Sequence, residues 1–252
     1  MITRRPRAAL LAASLFVLTG CGGGAVASPG HPSGGDAAGT TTSAAVPIPT
    51  PTSQVSSSPL LPGLGPKTLG RIPAGTRQAV VVTGRGKNSP LSTVVLYQRT
   101  GAGWEAGASW PAHNALRGWT DQHMAGDLHS PIGVYELTDA GGLLNDPGSR
   151  LPYHQSSAFT APGTGFEGEP LAGAFDYVIA INYNRTPGTS PLDWSRPLGS
   201  GRGGGIWFHV DHGGPTHGCV SIAAKHMKEL LRALDPDLHP VVVMGDAASL
   251  AH

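Results

Sequence analysis

The sequence predicts a mainly β fold with a single late helix. From about Gly70 onward, short runs rich in β-branched and aromatic residues alternate with Gly, Pro, Asn and Asp, at 78–83, 93–97, 133–137, 177–183, 206–210 and 241–244. Such runs read as strands. Helical periodicity is nearly absent until residues 223–234, where Met227, Leu230, Leu231 and Leu234 recur at three- and four-residue intervals before Asp235-Pro236 stops the pattern. With 39% hydrophobic and 6% aromatic residues, one modest core is possible and a second is not, so a single globular domain is expected. The Gly- and Pro-rich stretch 143–168 is too long for an idle connection and reads as a surface loop or lid over a site.

The 37 glycines and 23 prolines are too many for a uniformly packed chain of 252 residues. Their excess lies upstream of the domain. Arg4, Arg5 and Arg7 precede an apolar run from Ala8 to Leu18, about half the length a membrane-crossing helix needs, and Leu18-Thr19-Gly20-Cys21 follows. This resembles a bacterial lipoprotein signal, which implies cleavage before Cys21 and lipid on that residue. Residues 22–66 are Gly, Ala, Ser, Thr and Pro with almost no charge, unable to bury enough surface to fold. As a coil they form a tether of roughly 35 to 40 Å. The expected organisation is a signal peptide over 1–20, a disordered tether over 21–66 and a domain over 67–252. Its expected location is extracytoplasmic, anchored to the outer face of the cell membrane and facing the wall.

Charge excludes one class of partner. Removing Arg4, Arg5 and Arg7 leaves 14 of the 17 basic residues against 16 acidic ones, a net charge near −2 with no footprint for nucleic acid. The cysteines narrow the field further. If Cys21 carries lipid, Cys219 has no disulfide partner and is either a buried inert thiol or a reactive one.

The neighbours of Cys219 favour reactivity. In residues 203–222, GGGIWFHVDHGGPTHGCVSI, three histidines precede the cysteine within eleven positions. One reading pairs a histidine with the thiol, because the thiolate is the nucleophile and a free thiol is mostly protonated at neutral pH. Gly213, Gly214 and Gly218 then allow tight turns that aim backbone amides at an oxyanion. A second reading makes His209, His212, His217 and Cys219 a tetrahedral zinc site. A third leaves solvated histidines around a buried thiol. Alternation along 206–210 puts Ile206, Phe208 and Val210 on an apolar face and Trp207 and His209 on the other, so His209 sits on a rigid strand facing a cleft. His212, in the glycine loop, is expected to be mobile.

The run from the strand histidine through Pro215-Thr216-His217-Gly218-Cys219-Val220-Ser221 resembles the L,D-transpeptidase catalytic-domain (YkuD-like) family, whose hallmark is a His, a loop, and Ser/Thr-x-Gly-Cys before an aliphatic residue. His129-Ser130-Pro131-Ile132-Gly133-Val134-Tyr135 is similar to the family's T-P-x-G-x-[FY] stretch. The resemblance covers about 75–245 and implies a catalytic β-sandwich or barrel. It implies Cys219 as nucleophile, His209 as base with His217 as the rival for that role, and the amides of Gly218 and Cys219 as oxyanion donors. Asn184 and Ser221 are expected substrate contacts. Two departures stand out: only ten positions separate His209 from Cys219, shorter than in most members, and Ser221 stands where many members carry Arg or Asn.

The chemistry so implied is acyl transfer on peptidoglycan stem peptides through a thioester, by a monomer without metal or other cofactor. Water in place of an acceptor amine would make the same site an L,D-carboxypeptidase. The same residues also permit a zinc peptidase or a non-catalytic wall-binding relative. His113, His123 and His129, in a Trp-rich region, read as packing or surface residues.

Overall fold

The computed structural model describes residues 57–252. The expected signal peptide, Cys21 and most of the expected tether lie outside the described residues. In chain order the elements are β1 (Ser57–Ser58), α1 (Pro66–Leu69), β2 (Gln78–Gly84), β3 (Leu91–Thr100), β4 (Gly103–His113), β5 (Trp119–Thr120), β6 (Ser130–Pro131), β7 (Gly133–Glu136), β8 (Ala140–Gly142), β9 (Tyr153–Gln155), β10 (Val178–Ala180), β11 (Trp207–Val210), β12 (Val220–Ile222), α2 (Ala224–Ala233), β13 (Val241–Asp246) and α3 (Ala247–Leu250). The fold is mainly β, as the sequence predicts. Eleven strands form one sheet in the order β7-β13-β2-β3-β4-β12-β11-β10-β8-β9, with β1 beside β4, while β5 and β6 pair separately.

One face of the sheet closes on the late helix. Val80 and Val82 of β2, Ile179 of β10, Phe208 of β11, Val220 and Ile222 of β12, and Val242 and Met244 of β13 meet Met227, Leu230, Leu231 and Leu234 in one buried cluster. The alternate residues of β2 and β13, Ala79, Val81, Val241 and Val243, face a second cluster with Leu61, Trp104 and Leu250. Burial on both faces explains why these two strands are continuous aliphatic runs and not alternating ones. Leu61 is buried, and the Gly65 amide donates to the Leu250 carbonyl at 2.9 Å. Leu61 and Leu64, just before residue 67, pack on the outer face of β2 and β13.

Strand β4 is the largest element that the residue pattern does not disclose. Its sequence, GWEAGASWPAH, holds two glycines, three alanines and a proline, all weak strand formers. Pairing makes it a strand: it runs antiparallel to β3 from Thr100↔Gly103 to Leu91↔His113, and its other edge takes β1 at Trp104 and Glu105 and β12 at Ala112 and His113.

Helix α2 has no side-chain N-cap, and a distant residue secures its other end. The buried Gln78 side chain donates from Nε2 to the Ala233 carbonyl at 2.7 Å and accepts from the Asp235 amide at 2.8 Å. It satisfies a helix-terminal carbonyl that would otherwise be orphaned and ties α2 to the first residue of β2. Gln78→Ala strips two half-buried backbone groups of their partner, so it should cost about 2 to 3 kcal/mol. Urea unfolding checks this: a loss below about 1 kcal/mol, within the range of ordinary surface changes, would mean that water replaces the amide.

Candidate active site

Strands β11 and β12 run parallel, with Phe208 opposite Val220 and His209 opposite Ser221. Side-chain alternation sends Phe208, Val220 and Ile222 into the main core, leaving Trp207, His209, Cys219 and Ser221 to the opposite face. Across β4, β12 and β11 this face carries a row of His113, Ser221 and His209 in register. Segment 143–175 covers part of it. Phe159 and Phe175 pack edge-on to Trp207, at centroid distances of 5.9 and 5.1 Å, and Phe175 meets the His209 ring at 5.4 Å.

Cys219 sits at the end of a tightly pinned turn. Its carbonyl accepts from Thr216 Oγ1 at 2.7 Å and Ser130 Oγ at 3.4 Å. Thr216 in turn exchanges backbone bonds with 114–116, donating to Asn114 and accepting from Leu116. Among the described residues neither the Gly218 nor the Cys219 amide donates to a turn or loop carbonyl. The Cys219 sulfur accepts from the Trp207 amide at 3.4 Å and its S–H donates to the Gly205 carbonyl at 3.6 Å. Burial pushes the thiol up to about 11, with only the Trp207 amide opposing.

The expected pairing of thiol and histidine is not made in this resting arrangement. His209 is buried, and its Nδ1 lies 2.9 Å from the Val210 carbonyl. A carbonyl only accepts, so Nδ1 carries the proton and Nε2 the lone pair. Burial pulls the imidazole down to about 4, against the stabilising carbonyl of Val210. Both groups are therefore held neutral. His212, in the glycine loop, has two partners: its ring stacks on His209 at 5.7 Å and its Nδ1 lies 3.1 Å from Glu169. The Glu169 carboxylate is lowered by backbone amides, its own first, and further by His212. His217 is exposed, with Phe166 of the covering segment tilted over it at 4.6 Å. Among the described residues, no three His, Cys, Asp or Glu side chains are grouped to hold a metal ion.

Ser221 and Asn184, the expected substrate contacts, are both buried and hydrogen-bonded within the protein. Ser221 is fully buried, and its Oγ donates to Asp211 Oδ1 at 2.8 Å, an oxygen that also lies 2.8 Å from His113 Nδ1. Burial raises the Asp211 carboxyl, but the bonds from His113 and Ser221 outweigh it and bring it to about 2, while the bond to Asp211 raises His113. This places Ser221 and His113 in a polar strut beneath the cleft floor. Asn184, in the left-handed region at φ 45°, donates to the carbonyls of Gly199 and Gly203 and accepts from the Leu198 amide. It shapes the 184–205 loop from within. Arg185 is likewise withdrawn, paired with Asp139 at 2.9 Å with both side chains almost fully buried.

Cys219 opens on two clefts, of about 340 and 460 Å³. Trp194, Arg196, Gly204, Gly205, His217 and Cys219 line both. The smaller adds Phe175, His209 and His212; the larger adds His123, Gly203 and Gly218. His123, Trp194 and Arg196 carry no motif; the folded 184–205 loop brings Trp194 and Arg196 to the thiol, and the segment before β6 brings His123.

The L,D-transpeptidase catalytic domain (YkuD) model matches residues 74–243. The chain belongs to that family. No curated protein matches it. A solved structure, that of Bdellovibrio bacteriovorus Bd1075, aligns with 68% of this chain and 48% of its own at 15% identity and a TM-score of 0.38, so the chain spans about half the length of that relative.

Two pH effects follow from the neutral thiol and imidazole. In the ligand-free protein, alkylation of Cys219 by iodoacetamide should climb until about pH 11. An inflection below about 8.5, the free-thiol value, would show the thiol activated at rest. For His209, a folded pKa near 4 lies below the unfolded 6.5. Its contribution to stability is complete above pH 6.5 and disappears as pH falls to 4, amounting to about 3 kcal/mol. Urea unfolding at pH 7 and 4.5 should show a smaller acid loss in His209→Gln than in wild type; equal losses would place the titrating group elsewhere.

Proposed function

We propose that this chain is an exported, lipid-anchored cysteine acyltransferase acting on peptidoglycan stem peptides. The observation that carries the reading is the position of Cys219 on the shared wall of two clefts, since transfer requires an acyl donor on one side of the sulfur and an acceptor on the other. Family membership supports the substrate class. The lipid anchor rests on the sequence around Cys21, and an extracytoplasmic location facing the wall follows from it; nothing in the reading requires a second copy of the chain.

In the proposed reaction the Cys219 sulfur loses its proton to Nε2 of His209 and attacks the carbonyl preceding a terminal D-residue. The amides of Gly218 and Cys219 receive the developing oxyanion. The C–N bond breaks as the imidazolium returns its proton to the leaving amine, leaving a thioester. An amine of a second stem attacks that thioester, gives its proton to His209 and frees the thiol; water in its place yields a carboxypeptidase. His217, exposed at the rim, contacts substrate or orients the base. Neutral partners suit this cycle, because the ion pair need exist only when substrate has excluded water and stands ready for attack.

Incubation with a disaccharide-tetrapeptide followed by intact-protein mass spectrometry tests the proposal. The expected product is a thioester adduct on Cys219 with loss of the terminal D-residue, absent in Cys219→Ala and unaffected by EDTA. His209→Ala should slow its formation by about 10² to 10⁴-fold. An adduct that persists in Cys219→Ala, or activity abolished by chelation, overturns the assignment.

A further inference from the structure

We propose that Arg196 is a carboxylate receptor beside the thiol, an inference that rests on Cys219 being the acylated residue. Arg196 is half-buried in the 184–205 loop and lines both clefts. Its Nη1 is committed to the backbone, donating to the Asp193 carbonyl at 3.1 Å and the Ser195 carbonyl at 2.8 Å, and its Cζ lies 5.0 Å from the centroid of the Trp194 ring. These contacts hold the guanidinium plane in place.

The other edge of the fork, Nε and Nη2, donates to nothing among the described residues, and no carboxylate there lies within ion-pair distance of it. The side chain packs closely on the Gly204–Gly205 backbone, which leaves both nitrogens without an acceptor. A Cβ on Gly204 would stand 2.3 Å from Nε, and one on Gly205 would stand 3.5 Å from Nη2. Both glycines have positive φ, +141° and +68°, so side chains are excluded there by conformation as well as by contact. The Gly205 carbonyl is the acceptor of the Cys219 S–H, so the open edge of the fork lies against the same residue that holds the thiol.

Among the described residues Arg196 is the one Arg or Lys lining either cleft. An open Nε–Nη2 edge matches the two oxygens of a carboxylate, and partial burial strengthens the bond relative to one in open water. The ligand is a peptide carboxylate, whether from the terminal residue of a stem or from one of its acidic side chains.

Alkylation of Cys219 in the full chain by iodoacetate and by iodoacetamide tests the receptor without needing a stem. The reagents differ in one carboxylate against one amide. The ratio of their rates should fall at least about tenfold in Arg196→Met and recover in Arg196→Lys, the scale of one charge-assisted hydrogen bond. In wild type the same ratio should fall as salt is raised to about 1 M. An Arg196→Met variant that melts with wild type and keeps its ratio, or a wild-type ratio insensitive to salt, overturns the proposal. With tetrapeptide stems, loss in Arg196→Met of the preference for free acid over C-terminal amide assigns the terminal carboxylate, and loss of the preference over side-chain amide assigns the acidic side chain. Either loss supports the receptor. Charge-selective alkylation with no stem adduct in wild type would instead sink the acyltransfer reading while showing that the cation acts on Cys219.

Discussion

The parallel register of β11 on β12 is the constraint on which the site depends. Opposition of Phe208 to Val220 drives both into the main core, and the period of two then forces Trp207, His209, Cys219 and Ser221 onto the other face. A slip of one residue would bury His209 among the leucines of α2 and expose Phe208. The hydrophobic effect thereby sets the positions of polar groups it does not touch. Hydrogen bonds complete the placement, with Thr216 and Ser130 fixing the Cys219 carbonyl and the Asp211 strut bracing the row beneath.

Placement this close to a core carries an electrostatic cost. A thiol raised to about 11 and an imidazole lowered to about 4 cannot form an ion pair in the resting protein. The hydrogen bonds of both groups go to backbone: Trp207 and Gly205 for the sulfur, Val210 for the ring. Such a pair holds little thiolate at neutral pH, which slows reaction with solvent-borne electrophiles. Phe159 and Phe166 of the 143–168 stretch, with Phe175 beyond it, pack against Trp207 and His217 beside the thiol.

The family, the mainly β class, the late helix and the two faces of β11 were all legible in the sequence, because each rests on local periodicity or on a compact motif. Residues 78–83, 206–210 and 241–244 are aliphatic enough to declare themselves. Strand β4 is not, since its glycines and alanines become a strand only when β3, β1 and β12 flank them. The same long-range dependence hid the surroundings of Cys219. His113 reaches Asp211 across 98 positions of sequence through β4, and Arg196 reaches the thiol through a loop whose path Asn184 dictates. Ser221 lies in the motif and Asn184 closes a predicted strand before a turn, which is why each is expected to contact substrate. Burial and internal bonds, which no residue pattern displays, give them architectural work.

Sequence distance also governs how such a fold comes into being. Gln78 binds the end of α2 across 155 and 157 positions, and β2 lies parallel to β13 from Ala79↔Val241 onward. A chain made from its N-terminus can pair β2 with β3 at once, but the other edge of β2 stays bare until nearly the whole domain has followed. Contacts of that span impose slow closure and a long interval with bare strand edges. The tie that gives α2 its end thus sets a kinetic hazard, and the domain depends for its yield on whatever shields an unpaired strand in the meantime.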